Sequence, residues 1–170
     1  MSHFSKLFTA VTTGIFAAGA SAEPLADGAA LPMVSQKNQD DQVVELAQAG
    51  AAGYLLVYFY PKSDTPGCTK QACSLRDSFE QLTAKNVRIF GVSTDPVKAQ
   101  KTFKDKYKLP FDLLADEDAT VVAAFGVPRT VNFAKRQAFL FKDGKLVWRD
   151  LSASTDQQAA DVLEFLSKNP

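Results

Sequence analysis

The chain has 170 residues, of which 46% are apolar and 11% aromatic, and its 19 basic and 19 acidic residues cancel to a formal charge of zero. That length suits one domain with a real core, is too apolar for a disordered polymer, and offers no counterion-release footprint for nucleic acid. Two cysteines and one histidine exclude a disulfide-dense scaffold and a histidine-rich metal site, so redox chemistry must run through Cys68 and Cys73.

The chain opens with basic Lys6, an uncharged apolar run over residues 7–18, and Ala20-Ser21-Ala22 just before Glu23. This is the pattern of a secretory signal peptide. The apolar run falls short of the ~20 residues that span a bilayer. Residues 1–22 therefore read as a cleaved leader, with no stable membrane association afterwards. An exported, periplasmic protein is expected, with one domain over 23–170. Export would place both cysteines where disulfides persist.

Residues 23–40 are polar, carry Pro and Gly, and read as a lead-in. YLLVYFY, residues 54–60, is a continuous apolar run, as in a strand buried on both faces. Tyr58, Phe59 and Tyr60 are expected in the core. Pro61 ends the strand, and KSDTPG is loop. From Pro66 the period turns helical, with Ala72, Leu75, Phe79 and Leu82 recurring at spacings of three or four. VRIFGVS (87–93) is a second buried strand. Residues 96–107 form a charged helix with Pro96 as its first residue. A short strand at 112–114 and a short helix at 118–125, ended by Gly126, come next. QAFLF (137–141) and LVWRD (146–150) flank Asp143-Gly144, a strong hairpin signal; Trp148 lies on that hairpin. A last helix spans 155–167, with Thr155 as N-cap. Alternating strands and helices, then a hairpin and a closing helix, predict an α/β fold with a mixed central sheet.

The cysteines lie at the junction of the first buried strand and its helix. With Thr65 as N-cap, Cys68 is the third helical residue, facing unsatisfied backbone N–H groups and the positive end of the helix dipole. Both favour the thiolate, the nucleophilic form. Lys62, Lys70 and Arg76 add local positive charge. A partly accessible, reactive Cys68 is expected. Cys73 comes five residues later, which on helical geometry puts the two Cα atoms about 8.6 Å apart. A disulfide tolerates no more than about 7 Å. Either the two never pair, or pairing requires the helix to unwind. Two thiols alone do not make a tetrahedral metal site, and the C-x-x-C spacing of thioredoxin-type motifs is absent.

The segment YFYPKSDTPGCTKQACSLRD resembles the peroxiredoxins, specifically the peroxiredoxin Q group, also called bacterioferritin comigratory protein. The resemblance runs over residues 54–150 and is most specific over 58–77. Its P-x-x-x-T-x-x-C pattern stands here as Pro61, Thr65 and Cys68, and a second cysteine five residues on marks the subgroup. The resemblance implies a thioredoxin-like fold and assigns roles. Cys68 is the peroxidatic cysteine and Cys73 the resolving one. Thr65 hydrogen-bonds peroxide and thiolate, Pro61 shelters the thiolate, and Arg136 in RQAFL supplies positive charge, with Arg129 a weaker rival. Asp95 matches a frequent acidic position and is assigned no chemistry. Ser63 departs from an acidic residue common in the family, and GAALPMV lacks an A-P-D-F-like stretch. Most members are cytosolic, whereas this chain carries a leader pattern.

The activity that the resemblance implies is that of a thiol peroxidase. It reduces hydrogen peroxide and organic hydroperoxides without metal, haem or flavin, and passes through a Cys68–Cys73 disulfide. A thioredoxin-like dithiol protein recycles it, and the enzyme is a monomer. Two rival readings use the same residues: a thiol–disulfide oxidoreductase, and a non-enzymatic redox sensor, since fold does not fix function. Taken singly, Thr65 also serves as a helix cap, Pro61 as a strand terminator and Arg136 as a surface charge. One family pattern accounts for all three together.

Overall fold

The apolar run at 54–60 becomes the middle strand of a five-stranded sheet in the computed structural model, which describes residues 23–169. The leader reading of residues 1–22 lies outside the described residues. A small hairpin, β1 (Ser35–Lys37) and β2 (Val43–Glu45), and a single turn, α1 (Leu46–Ala49), precede β3 (Tyr54–Phe59). Then come α2 (Pro66–Asp77), α3 (Phe79–Ala84), β4 (Val87–Ser93), α4 (Val97–Tyr107), β5 (Asp112–Ala115) and α5 (Thr120–Ala124). A two-residue ladder, β6 (Arg129–Thr130) and β7 (Phe133–Ala134), leads into β8 (Gln137–Lys142), β9 (Lys145–Asp150) and α6 (Gln158–Lys168).

The sheet order is β5-β4-β3-β8-β9. Strand β4 lies parallel to β3 and to β5, while β8 runs antiparallel to β3 and to β9. This is the expected mixed sheet of a thioredoxin-like fold. Successive residues of a strand point to opposite faces, and β3 is apolar on both. Leu56 and Tyr58 face a core closed by α2, α3, α4 and α6. Leu55, Val57 and Phe59 face a second core closed by α1, α5 and the N-terminal segment. Burying both faces of β3 fixes the start of α2 at the sheet's C-terminal edge, directly over the first core.

Four local readings change. The helical period at 72, 75, 79 and 82 continues, but Ser78 (φ −102°, ψ 10°) breaks the helix into α2 and α3. Pro96 is the extended N-cap of α4 rather than its first residue. The closing helix starts at Gln158, not Thr155, because Ser154 Oγ accepts the N–H groups of Asp156 and Gln157 and holds that stretch as a turn. Residues 35–40, read as part of a lead-in, form a hairpin with residues 41–45. The Asn38 side chain accepts the N–H groups of Asp40 and Gln42 at 3.0 Å each, which makes the turn.

Candidate active site

Pro61 comes two residues after the end of β3, where a residue without an N–H ends the ladder that Tyr60 still joins by donating to the Val92 carbonyl. The chain then loops over Lys62–Asp64 and enters α2 through Thr65, whose φ of −88° and ψ of 154° make it the N-cap, with Pro66 at the first helical position. The first intrahelical bond is Thr69 N–H to Thr65 C=O at 2.8 Å. The N–H groups of Gly67 and Cys68 precede it and are among the orphan donors of a helix start. The Thr65 hydroxyl does not cap these donors. It donates to the Lys62 carbonyl at 2.9 Å. With its only proton committed there, Oγ1 is left as an acceptor.

Cys68 is 2% exposed. This corrects the expectation of a partly accessible thiol: the first turn of α2 packs down onto the Tyr58 and Tyr60 side of the sheet. Arg136 reaches the sulfur from the start of β8. Its Nη2 donates to Cys68 Sγ at 3.4 Å, and its Nη1 donates to Gln71 Oε1. Gly67 leaves the guanidinium its space, since a Cβ there would lie 3.3 Å from Nη2. The three cations proposed from local sequence point elsewhere. Lys70 pairs with Asp156, Arg76 with Asp77 and the Tyr107 carbonyl, and Lys62 lies over the Phe133 ring. Arg129, the weaker rival to Arg136, sits exposed on β6.

A polar strut holds the loop between Pro61 and Thr65. Asp95 accepts from Ser63 N–H at 2.6 Å and from Ser93 Oγ at 2.8 Å. Gln100, fully buried on α4, donates to Ser93 Oγ and to the Leu114 carbonyl and accepts from Tyr60 Oη and Ser63 Oγ. Asp64 (φ 59°) accepts from Lys106 and Tyr107, which hold its carboxyl below the usual carboxylate range. Burial pushes both the Tyr60 and the Tyr58 phenols up. Asp95, to which the sequence assigned no chemistry, is thus a structural anchor, and Ser63 keeps the loop through its backbone N–H.

Cys73 is half-buried in the third turn of the continuous helix α2, and both cysteines are free thiols. The helix between them is intact, so the geometric bar to their pairing holds in this state. Sequence reasoning missed Gln71 and Gln158, whose side chains bond at 2.6 Å in the buried contact between α2 and α6. Each is a polar residue in an otherwise apolar helical stripe: Cys68, Ala72 and Leu75 in α2, and Ala159, Val162 and Leu166 in α6. That misfit in the pattern was the available signal.

A model of the AhpC/TSA family matches residues 28–149. The chain is 39% identical over 128 residues to peroxiredoxin Q of Suaeda salsa, covering 75% of this chain and 59% of that one. It is 45% identical over 101 residues to peroxiredoxin Q of Oryza sativa, covering 59% and 46%. The chain spans about half the length of the curated relatives it matches. Among solved structures it superposes on peroxidoxin BcpB from Mycobacterium tuberculosis with a TM-score of 0.80 at 31% identity, covering 85% of this chain and 97% of that one. These relatives correct one expectation. The plant proteins are named chloroplastic, so the exported, periplasmic placement does not stand. An apolar stretch ending in small residues is a local pattern, and it does not by itself specify the compartment of the domain that comes after it.

Proposed function

The chain belongs to the AhpC/TSA family, and on that premise we propose that residues 23–170 act as a thiol peroxidase of the peroxiredoxin Q type. The observation that carries this reading is the guanidinium of Arg136 at 3.4 Å from a buried Cys68 sulfur in the first turn of a helix. A guanidinium and a helix N-terminus together favour a thiolate over a thiol, and the same donors suit an oxyanion developing beside it.

In the proposed first step the Cys68 thiolate attacks one oxygen of a hydroperoxide. A sulfur–oxygen bond forms, the oxygen–oxygen bond breaks with its electron pair going to the leaving oxygen, and that oxygen takes a proton to leave as water or alcohol. Cys68 becomes a sulfenic acid. Arg136 and the free N–H groups at the start of α2 stabilise the charge on the leaving oxygen. Thr65 Oγ1 accepts the peroxide proton, and Pro61 limits water at the sulfur. In the second step α2 unwinds between the cysteines, the Cys73 thiol displaces hydroxide from the Cys68 sulfur, and water and a disulfide result. A thioredoxin-like dithiol protein then reduces the disulfide by exchange. Hydrogen peroxide and organic hydroperoxides are the proposed substrates, and a monomer is the proposed working form, since the pairing is intramolecular.

The test mixes reduced protein with one equivalent of hydrogen peroxide and follows thiols and mass in rapid-quench samples. Loss of both thiols with a mass decrease of two hydrogens is expected. Cys68→Ser abolishes consumption, while Cys73→Ser keeps the first oxidation and loses the disulfide. Thiols that persist for minutes in the parent protein would overturn the reading and shift it to disulfide exchange.

A further inference from the structure

We infer that Gln158, on the closing helix, is a positioning residue for Arg136 and acts through Gln71. Gln71 has two ends in use. Its Oε1 accepts from Arg136 Nη1, and its Nε2 donates to Gln158 Oε1 at 2.6 Å. Both glutamines are fully buried, in a contact between α2 and α6 that is otherwise apolar. A buried amide is unfavourable unless its polar atoms are paired. Gln158 Nε2 has no partner among the described residues, so two leucines would pack this contact without that penalty. Buried polar atoms that stability does not explain call for another reason.

The geometry supplies that reason. A guanidinium is a planar fork, so fixing one arm aims the other. Holding Nη1 on Gln71 directs Nη2 at Cys68 Sγ. Gln71 alone is a long side chain with several rotamers. Its bond to Gln158 keeps Oε1 turned toward Arg136. The relay therefore joins the reacting sulfur to α6, 90 residues along the chain from Cys68 to Gln158, and it does so within the helix that must open for the two cysteines to meet. This inference rests on Arg136 activating Cys68, as proposed above.

The experiment uses the Cys73→Ser protein as parent and compares Gln71→Met, Gln158→Met and Gln71→Glu. Two rates are measured: Cys68 oxidation by hydrogen peroxide, and Cys68 alkylation by iodoacetamide across pH 5–9. Displacing a reacting group by a fraction of an ångström to an ångström costs one to two powers of ten, so Gln71→Met slows both reactions about tenfold. Gln158→Met, which never touches the sulfur, slows them about threefold to tenfold on the same argument and moves the alkylation profile to higher pH. Gln71→Glu stays within about twofold of the parent: its carboxylate still accepts from Arg136, and Gln158 turns its unpartnered Nε2 to it. If either single variant fails to fold, the Gln71→Met/Gln158→Met pair leaves no amide stranded and shows the same slowing. Parent-like rates and profile in folded Gln158→Met, or in the pair, overturn the inference. A parent protein that ignores peroxide overturns the peroxidase reading instead, and the alkylation profile still judges the relay.

Discussion

Arg136 and Cys68 stand 68 residues apart in the chain and 3.4 Å apart in the fold, donor nitrogen to sulfur. The guanidinium has one arm on the sulfur and the other on Gln71, a geometry that a lysine ammonium does not reproduce. Arg136→Lys is expected to slow Cys68 oxidation by about two powers of ten, the usual loss for one transition-state donor, with the circular dichroism spectrum unchanged. Stopped-flow oxidation of the reduced protein measures it. A rate within about threefold of the parent would remove Arg136 from the chemistry, since a lost donor of this kind costs far more.

Gly67 separates stability from activity. A Cβ there would meet Arg136 Nη2 at 3.3 Å and Thr155 Cγ2 at 3.4 Å, so the guanidinium must shift by a few tenths of an ångström. Alanine is the better helix former, by up to about 1 kcal/mol. Gly67→Ala is therefore expected to melt no lower than the parent while oxidising about fivefold more slowly, because a small misplacement of Arg136 reaches the reacting atom. Parallel thermal melts and peroxide kinetics check the two halves. An unchanged rate would mean that Arg136 tolerates the displacement.

Gly91, in the middle of β4, makes room for a phenol. A Cβ would lie 2.6 Å from Tyr58 Oη and 2.7 Å from Leu113 Cδ2, both fully buried. Gly91→Ala is expected to destabilise by about 1–3 kcal/mol through overpacking. Tyr58 Oη has no hydrogen-bond partner among the described residues, so Tyr58→Phe removes a stranded polar atom and is expected to stabilise by about 1 kcal/mol. Combined, the two changes should cost less than their sum, because the phenylalanine vacates part of the clash. Urea unfolding of the single and double variants tests this. Strict additivity would contradict the contact.

Asp156 ties the approach to α6 onto α2 through Lys70 at 2.7 Å. The hydrogen bond from Lys70, aided by that from Ser154, holds its carboxyl below the ordinary value near 3.8. A carboxyl lowered on folding adds stability above its unfolded value and loses it as pH falls through the folded one. Asp156→Asn should therefore melt below the parent at pH 7, and the gap should close as pH drops below 3.8. High salt should narrow it as well, since both partners are exposed. A gap that stays constant from neutral to acid pH would assign the effect to packing rather than charge.

The main elements were legible because their signals are local. The run at 54–60 is apolar at every position, only seven residues long and rich in aromatics, which suits a strand with two covered faces. Asp143 and Gly144, at φ 49° and 76°, made the β8–β9 turn as their residue types require. Residues 35–45 were not legible: two strands of three residues, four of the six exposed, carry no usable period. The split at Ser78 was hidden for the opposite reason, since the period runs unbroken across it.

Residue order alone placed Cys68 in the first turn of a helix after a buried strand, and spaced Cys73 too far along the same helix for a bond without unwinding. Both come from helix geometry, which depends on chain position and nothing more. Folding decided which cation meets the sulfur. Lys62, Lys70 and Arg76 are near in sequence, yet Arg136 makes the contact because β8 pairs with β3 and brings the residue just before it to the start of α2. It also decided that Cys68 is buried, that Asp95 and Gln100 hold the loop, and that Gln71 meets Gln158. Each is a contact across the sheet or between helices, set by strand pairing and core packing rather than by any neighbour in the chain.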